Sequence, residues 1–269
     1  MFNTPIFKQD NISIKLEFKN PAGSTKDRPA LFICKDAFLK GKKEIVEVTS
    51  GNTGISLAYY AKKFNLKTTI FMPKSYSIER QKLLKIYGAN LILTDGGINE
   101  AIKQAKEYIK KTDAYYANQF ENPLNPASQE ITALEIINQI SIPNYFVCAV
   151  GSGGSITGIG KILKPLGVKI IGVESINSPI IYNKLKNKNL PIKPHKIQGI
   201  GAGFISKILD LKLIDDVILI EDNKAIEYTK KMPVKGGIST AANILASKQL
   251  KGEILTLAPD GIERYLSIL

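Results

Sequence analysis

Cysteine and histidine are scarce in this chain of 269 residues. The two cysteines, Cys34 and Cys148, provide no disulfide framework and lack the CxxC spacing of redox or zinc sites. His195 is the only histidine, which gives a His-dependent catalytic triad or a multi-histidine metal site little support. We therefore predict no metal site. Neither cysteine is assigned as a nucleophile, because Cys148 lies in an apolar strand-like run where a small buried residue is expected.

Long apolar runs and low-complexity tracts are missing as well. No stretch approaches the roughly 20 apolar residues needed to span a bilayer, and the first residues lack the basic and apolar segments of a secretory signal. Together with the low cysteine content, these absences predict a cytoplasmic protein that does not bind membranes. With 44% hydrophobic and 23% charged residues, the composition is typical of a globular protein.

The net charge of +13 is the one feature that favours a nucleic-acid partner. The lysines are scattered, however, and their densest pairs fall on apparent helix faces or in turns, which is typical of solvated surface. No basic patch with interleaved aromatic residues occurs. We therefore predict no nucleic-acid partner, and salt-dependent retention on DNA or RNA would contradict this prediction.

Strand-like and helix-like patterns alternate along most of the chain, which predicts an α/β fold with mostly parallel sheets. In such a fold the ligand lies at the carboxyl ends of the strands. A turn-rich stretch at 120–125 divides the pattern into two unequal halves, and 183–203 is predicted to be a long functional or mobile loop. The predicted strands are 45–48, 68–72, 90–93, 145–150, 169–173, 217–220 and 254–257, and the predicted helices are 54–64, 77–87, 99–111 and 128–140.

Two segments in the first quarter of the chain carry residues suited to chemistry. Segment 20–28 (NPAGSTKDR) places Lys26 at a predicted helix start. There the helix dipole favours the neutral amine that reacts with an aldehyde, although an ordinary helix start with a solvent-facing lysine explains the segment as well. Segment 49–54 (TSGNTG) offers hydroxyls, an amide and N–H groups to a carboxylate at a second helix start. A simple N-cap is the alternative.

Two further segments lie in the second half. The glycine loop 151–155 (GSGGS) follows an apolar strand and precedes a helix, which suits a phosphate. A dinucleotide fingerprint would need glycine at Ile156, and a Walker loop would need glycine at Ser155. A phosphate cup therefore fits best, with a plain glycine turn as the alternative. Segment 236–240 (GGIST) would place the Ser239 hydroxyl in a buried site, but a helix N-cap explains it equally well.

In this order, these segments resemble the fold-type II pyridoxal-phosphate enzymes, in particular the cysteine synthase (O-acetylserine sulfhydrylase) and cystathionine β-synthase branch. The motifs NQFENPLNP, IQGIGAGF and PDGIERYLS extend the resemblance over nearly the whole chain. It implies a two-domain fold like that of the tryptophan synthase β subunit, each domain a mostly parallel sheet flanked by helices. Residues 12–120 would form the smaller domain and 121–269 the larger one, and residues 1–11 would belong to the larger domain.

The resemblance also implies a role for each matching residue toward pyridoxal 5'-phosphate and an amino-acid substrate. Lys26 is expected to form the Schiff base and to move the α-proton, and Asn52 to contact the ring hydroxyl. Ser239 is expected to face the pyridine nitrogen, with the adjacent Thr240 as the fallback. The phosphate cup would be Gly151, Ser152, Gly153, Gly154 and Ser155. The substrate site would be Thr49, Ser50, Thr53 and Gln119 at the carboxylate, with Gly199 in a nearby loop.

The activity that this resemblance implies is formation of L-cysteine from O-acetyl-L-serine and sulfide. Reactions on serine or cysteine, which make cystathionine or release sulfide, are alternatives, and a non-catalytic binding protein is a third. A homodimer is expected, and a serine acetyltransferase is a candidate partner. The chain is shorter than is usual in the family, and two of the shortened regions resemble parts that border the active-site entrance, so the substrate is the open question.

Overall fold

A computed structural model describes residues 2–49, 51–74 and 78–269 of the chain. Its strands are β1 (Ile6–Gln9), β2 (Ile12–Leu16), β3 (Glu44–Val48), β4 (Lys67–Pro73), β5 (Asn90–Thr94), β6 (Tyr115–Tyr116), β7 (Tyr145–Ala149), β8 (Lys169–Ser175), β9 (Asp216–Ile220) and β10 (Ile254–Ala258). Its α-helices are α1 (Asp27–Leu39), α2 (Asn52–Ala61), α3 (Ile78–Ile86), α4 (Ile98–Thr112), α5 (Leu124–Gln139), α6 (Gly154–Leu163), α7 (Ile180–Lys186), α8 (Asp222–Thr229) and α9 (Ile238–Ser247).

The strands form two sheets, and the α/β prediction is confirmed. The smaller sheet has the order β5-β4-β3-β6 and is parallel throughout. The larger sheet has the order β1-β2-β10-β7-β8-β9, in which only the pairing of β1 with β2 is antiparallel. Helices flank both sheets and cover the faces of the parallel strands.

All seven predicted strands are present, but three strands were not predicted. They are β1, β2 and the two-residue β6. Because β2 pairs with β10, the residues 12–16 belong to the larger sheet and not to the smaller half in which a boundary at residue 12 puts them. A division that keeps paired strands together therefore falls after Leu16.

Helix boundaries differ from the predictions by one to four residues, and two of the differences are the most informative. Helix α5 begins at Leu124, four residues before the predicted start, with Pro126 inside its first turn, where a missing N–H costs nothing. Helix α7 covers the beginning of the predicted loop 183–203, and residues 187–203 contain no helix or strand. In the part of the chain that the structure describes, no helix has the length and apolarity to cross a bilayer.

A buried ion network fixes the beginning of α1 on the larger half. The Arg28 guanidinium, 0% exposed, donates to Glu17 at 2.7 Å and to Glu135 on α5 at 2.8 Å. Lys15 on β2 also contacts Glu135, at 2.9 Å. Charges that are removed from water are stable only when they are paired in this way. The network therefore holds the residue that precedes α1, Lys26, at a defined place between the two sheets.

Candidate active site

A cavity of about 260 Å³ opens between the two halves of the molecule. Every described residue of the predicted site lines it: Lys26, Thr49, Asn52, Thr53, Gln119, Gly151, Ser152, Gly153, Gly154, Ser155, Gly199 and Ser239. Ser50, also predicted to contact the substrate, lies outside the described residues. Segments that are far apart in the sequence are thus brought together around one space.

Lys26 is the N-cap residue of α1, so the predicted helix start is observed. Its backbone N–H donates to Ser24 Oγ at 3.2 Å. Burial lowers the pKa of the Lys26 amine below its ordinary 10.5, against the opposing effect of Cys148 and Asp260. A lowered pKa raises the share of the neutral amine, which is the nucleophilic and basic form.

The three glycines of the loop 151–155 have no room for a side chain. An ideal Cβ on Gly154 would lie 2.0 Å from Asn125 Oδ1, and one on Gly151 would lie 2.5 Å from the Gly199 carbonyl oxygen. Gly153, at φ +88°, is the N-cap of α6 and has no side chain to satisfy the first N–H groups of that helix. Free N–H groups and the positive end of the helix dipole make this a site for an anion such as phosphate.

A chain of hydrogen bonds shapes the end of the cavity beside β3. Thr53 Oγ1 donates to Gln119 Oε1 at 2.6 Å, and the Gln119 backbone N–H donates to Glu47 Oε2 at 2.9 Å. The other oxygen of Glu47 accepts from the Val48 N–H at 2.7 Å. Burial raises the pKa of Glu47 to about 8, although the two N–H groups oppose this shift. Glu47 was not predicted as a site residue, because an acidic residue inside an apolar strand gives no sign of its partners.

Ser239 and Thr240, the two residues whose hydroxyl was considered to face the pyridine nitrogen, differ in position. Both belong to the first turn of α9, but only Ser239 lines the cavity. Thr240 is 0% exposed, and its Oγ1 lies where a side chain on Gly236 would be, at 2.4 Å from an ideal Cβ. The hydroxyl that a ligand in this cavity meets is therefore that of Ser239.

Two contacts join loops that contribute residues to the cavity lining. The rings of Phe120 and Phe204 meet edge to face with 5.0 Å between their centroids. Next to them, Lys207 and Glu121 form an ion pair of 3.0 Å. His195 also lines the cavity and contacts the Gly201 carbonyl oxygen through Nε2 at 3.2 Å. The lining thus includes two aromatic side chains, those of Phe120 and Phe204, that the sequence patterns did not single out.

The geometry agrees with similarities to known proteins. The family model described as pyridoxal-phosphate dependent enzyme matches residues 1–260. The cysteine synthase of Buchnera aphidicola subsp. Schizaphis graminum is 42% identical over 295 aligned positions, which cover 98% of this chain and 92% of the relative.

Two solved structures are also similar over their length. An O-ureido-L-serine synthase superposes with a TM-score of 0.89 at 32% identity, covering 100% of this chain and 92% of that one. A hydrogen sulfide-producing enzyme from Fusobacterium nucleatum superposes with a TM-score of 0.88 at 37% identity, covering 98% and 95% of the two chains.

Proposed function

Because the chain belongs to the family of pyridoxal-phosphate-dependent enzymes, we propose that it forms L-cysteine from O-acetyl-L-serine and sulfide by replacement at the β-carbon. The observation that carries the proposal is that one cavity contains both the Lys26 amine, with its lowered pKa, and an anion site at the start of α6. An aldehyde and a phosphate on one molecule fit these two groups together. Relatives named cysteine synthase at about 40% identity support the choice of reaction.

The residues that line the cavity fit pyridoxal 5'-phosphate. Glycines 151, 153 and 154 let backbone N–H groups close around a phosphate, because a Cβ at any of the three would collide with neighbouring atoms. Lys26 would hold the aldehyde carbon, Asn52 the ring hydroxyl and Ser239 the ring nitrogen. When bound, the cofactor supplies an electron sink for the charge that develops at the substrate α-carbon.

The protein's own groups bind the substrate and move its proton. Thr49, Thr53 and Gln119 would bind the substrate carboxylate, together with N–H groups at the start of α2. The neutral amine of Lys26 would take the proton from the α-carbon and return it after the nucleophile has added. The Ser239 hydroxyl, which carries no charge, would leave the ring nitrogen unprotonated, and this favours chemistry at the β-carbon.

We further propose that the chain has two domains divided near 120 and acts as a cytoplasmic homodimer, with a serine acetyltransferase as a candidate partner. The resemblance of the motifs supports these proposals. Light scattering on the purified protein at micromolar concentration would give twice the mass of the 29.6 kDa chain for a dimer. A monomer mass would contradict the dimer.

One experiment separates the candidate reactions. The absorbance of the purified protein with bound cofactor is recorded before and after addition of O-acetyl-L-serine, and cysteine is then measured after addition of sulfide. We expect a change in cofactor absorbance and rapid cysteine formation, both lost in Lys26→Ala. Turnover of cysteine with release of sulfide, without turnover of O-acetyl-L-serine, would contradict cysteine synthesis in favour of the second candidate, sulfide release, which the similarity to a hydrogen sulfide-producing enzyme favours. Turnover of serine but not of O-acetyl-L-serine would contradict cysteine synthesis as well. Cofactor binding without any turnover would indicate a binding protein.

A further inference from the structure

The amide of Asn52 is held at both ends by charged side chains. Its Nδ2 donates to Asp260 Oδ2 at 2.6 Å, and its Oδ1 accepts from Arg264 Nη1 at 2.5 Å. Rotation of the amide by 180° would turn its oxygen toward a carboxylate and its NH2 group toward a guanidinium. Both contacts would be repulsive, so the two charged residues fix which end of the amide points where.

Asp260 and Arg264 are themselves fixed and almost fully buried, at 1% and 2% exposure. The Tyr265 hydroxyl donates to Asp260 Oδ2 at 2.6 Å, and Arg264 Nη2 donates to the Ala22 carbonyl oxygen at 2.5 Å. Ala22 belongs to the segment that carries Lys26. Hydrogen bonds of charged groups are strongest where water is excluded, so this end of the chain holds Asn52 and the lysine segment in one arrangement.

An amide NH2 group has two N–H donors, and Asp260 takes one of them. The other is left for the cavity that Asn52 lines. We propose that Asp260 and Arg264 are positioning residues that make Asn52 present an N–H, and not its carbonyl oxygen, to an anionic oxygen in the cavity. This inference rests on the proposed function, in which that oxygen is the deprotonated ring hydroxyl of pyridoxal 5'-phosphate. It gives the closing motif PDGIERY a role that the resemblance alone does not.

The test is a double-mutant cycle on cofactor binding and absorbance. Asp260→Ala, Asn52→Ala and the double variant are stripped of cofactor and titrated with pyridoxal 5'-phosphate at one pH. In Asp260→Ala we expect about tenfold weaker binding and a larger share of cofactor absorbing as the protonated ring hydroxyl, since a hydrogen bond to a charged group is lost. In the Asn52→Ala background the same substitution should change both readouts less than about twofold, because its effect passes through Asn52.

Asp215→Ala is the matched control, because it removes an aspartate that accepts a backbone N–H, from Ile170, and that does not line the cavity. It should lower the melting temperature without changing the absorbance ratio. If Asp260→Ala does not fold, the same double-mutant cycle is measured with Arg264→Met, which removes the contact at the other end of the Asn52 amide. Equal effects of Asp260→Ala in the wild-type and Asn52→Ala backgrounds would overturn this inference but not the proposed function. A wild-type protein that binds no pyridoxal 5'-phosphate would overturn both.

Discussion

Replacing Glu47 by glutamine tests how the buried carboxyl group beside the substrate site behaves. Glu47 is 1% exposed, and both of its oxygens accept backbone N–H groups, from Val48 and Gln119. Burial raises its pKa from the ordinary 4.5 to about 8. The folded protein therefore keeps a proton on this carboxyl group over a pH range in which the unfolded chain has lost it.

The sign of the pH dependence follows from that difference. Between about 4.5 and 8 the native state binds one more proton than the unfolded state, so the free energy of unfolding of the wild type falls as the pH rises. The fall is at most about 1.4 kcal/mol per pH unit, and on the order of a few kcal/mol from pH 5 to pH 8. Glutamine does not titrate. At pH 5 the Glu47→Gln variant should be about 1–2 kcal/mol less stable, because its NH2 group faces a backbone N–H, and this deficit should shrink or reverse by pH 8.

Urea unfolding of both proteins at half-unit steps of pH measures the difference. Glu121→Gln is the control. Glu121 is exposed and forms an ion pair with Lys207, which holds the pKa of Glu121 below its ordinary value. Stability from such a pair is lost only as the pH falls through the lowered pKa. Because Glu47 is intact in this control, its stability should follow that of the wild type, with a constant difference between pH 5 and pH 8. A constant difference between Glu47→Gln and the wild type over that range would refute the reasoning.

Two further substitutions test the glycine loop and the buried ion network. Gly154→Ala should lower the free energy of unfolding by about 1–3 kcal/mol and weaken binding of pyridoxal 5'-phosphate, since its Cβ would meet Asn125. In the control Gly97→Ala the Cβ enters open space, and the loss should be less than about 1 kcal/mol. Equal melting temperatures for the two variants would contradict this. Arg28→Met leaves the buried Glu17 carboxylate without its cation and Glu135 with Lys15 alone, and it should lower the free energy of unfolding in urea by about 3–5 kcal/mol. The control Lys161→Met removes an exposed ion pair with Glu130 and should lower the free energy of unfolding by less than about 1 kcal/mol. A similar loss for Arg28→Met and Lys161→Met would show that the buried network does not stabilise the fold.

Strands made mostly of apolar residues could be predicted from the sequence, and β2, which buries a lysine, could not. The cores of β4, β7 and β10 read as continuous β-branched or apolar runs because both faces of a parallel sheet are covered. β2 contains Lys15, which looks like a surface residue. Its ammonium is nevertheless 0% exposed and bonded to the Thr4 carbonyl oxygen and to Gln139. Those partners lie on other segments, so the local pattern contains no sign of the strand.

The same limit applies to the site. Lys26 and the loop 151–155 could be predicted, because a lysine at a helix start and a run of glycines are local features. Asp260 could not be assigned a role, since its importance comes from Asn52, which is 208 residues away in the chain. Glu47 is a similar case, with Gln119 as its distant partner. Residues that act through another residue become visible only once the fold brings the two together.

The N-termini of α1, α2, α6 and α9 are among those that meet at the cavity, and this explains why one site suits both an anion and a neutral amine. Lys26 precedes α1, Asn52 begins α2, Gly154 begins α6, and Ser239 is the second residue of α9. Each residue lines the cavity, so the positive ends of these helix dipoles face it. Their field favours phosphate and carboxylate groups and disfavours an ammonium, adding to the burial that lowers the pKa of Lys26. Parallel sheets produce this convergence because their connecting helices begin at the same sheet edge, so the fold creates the electrostatics that the chemistry needs.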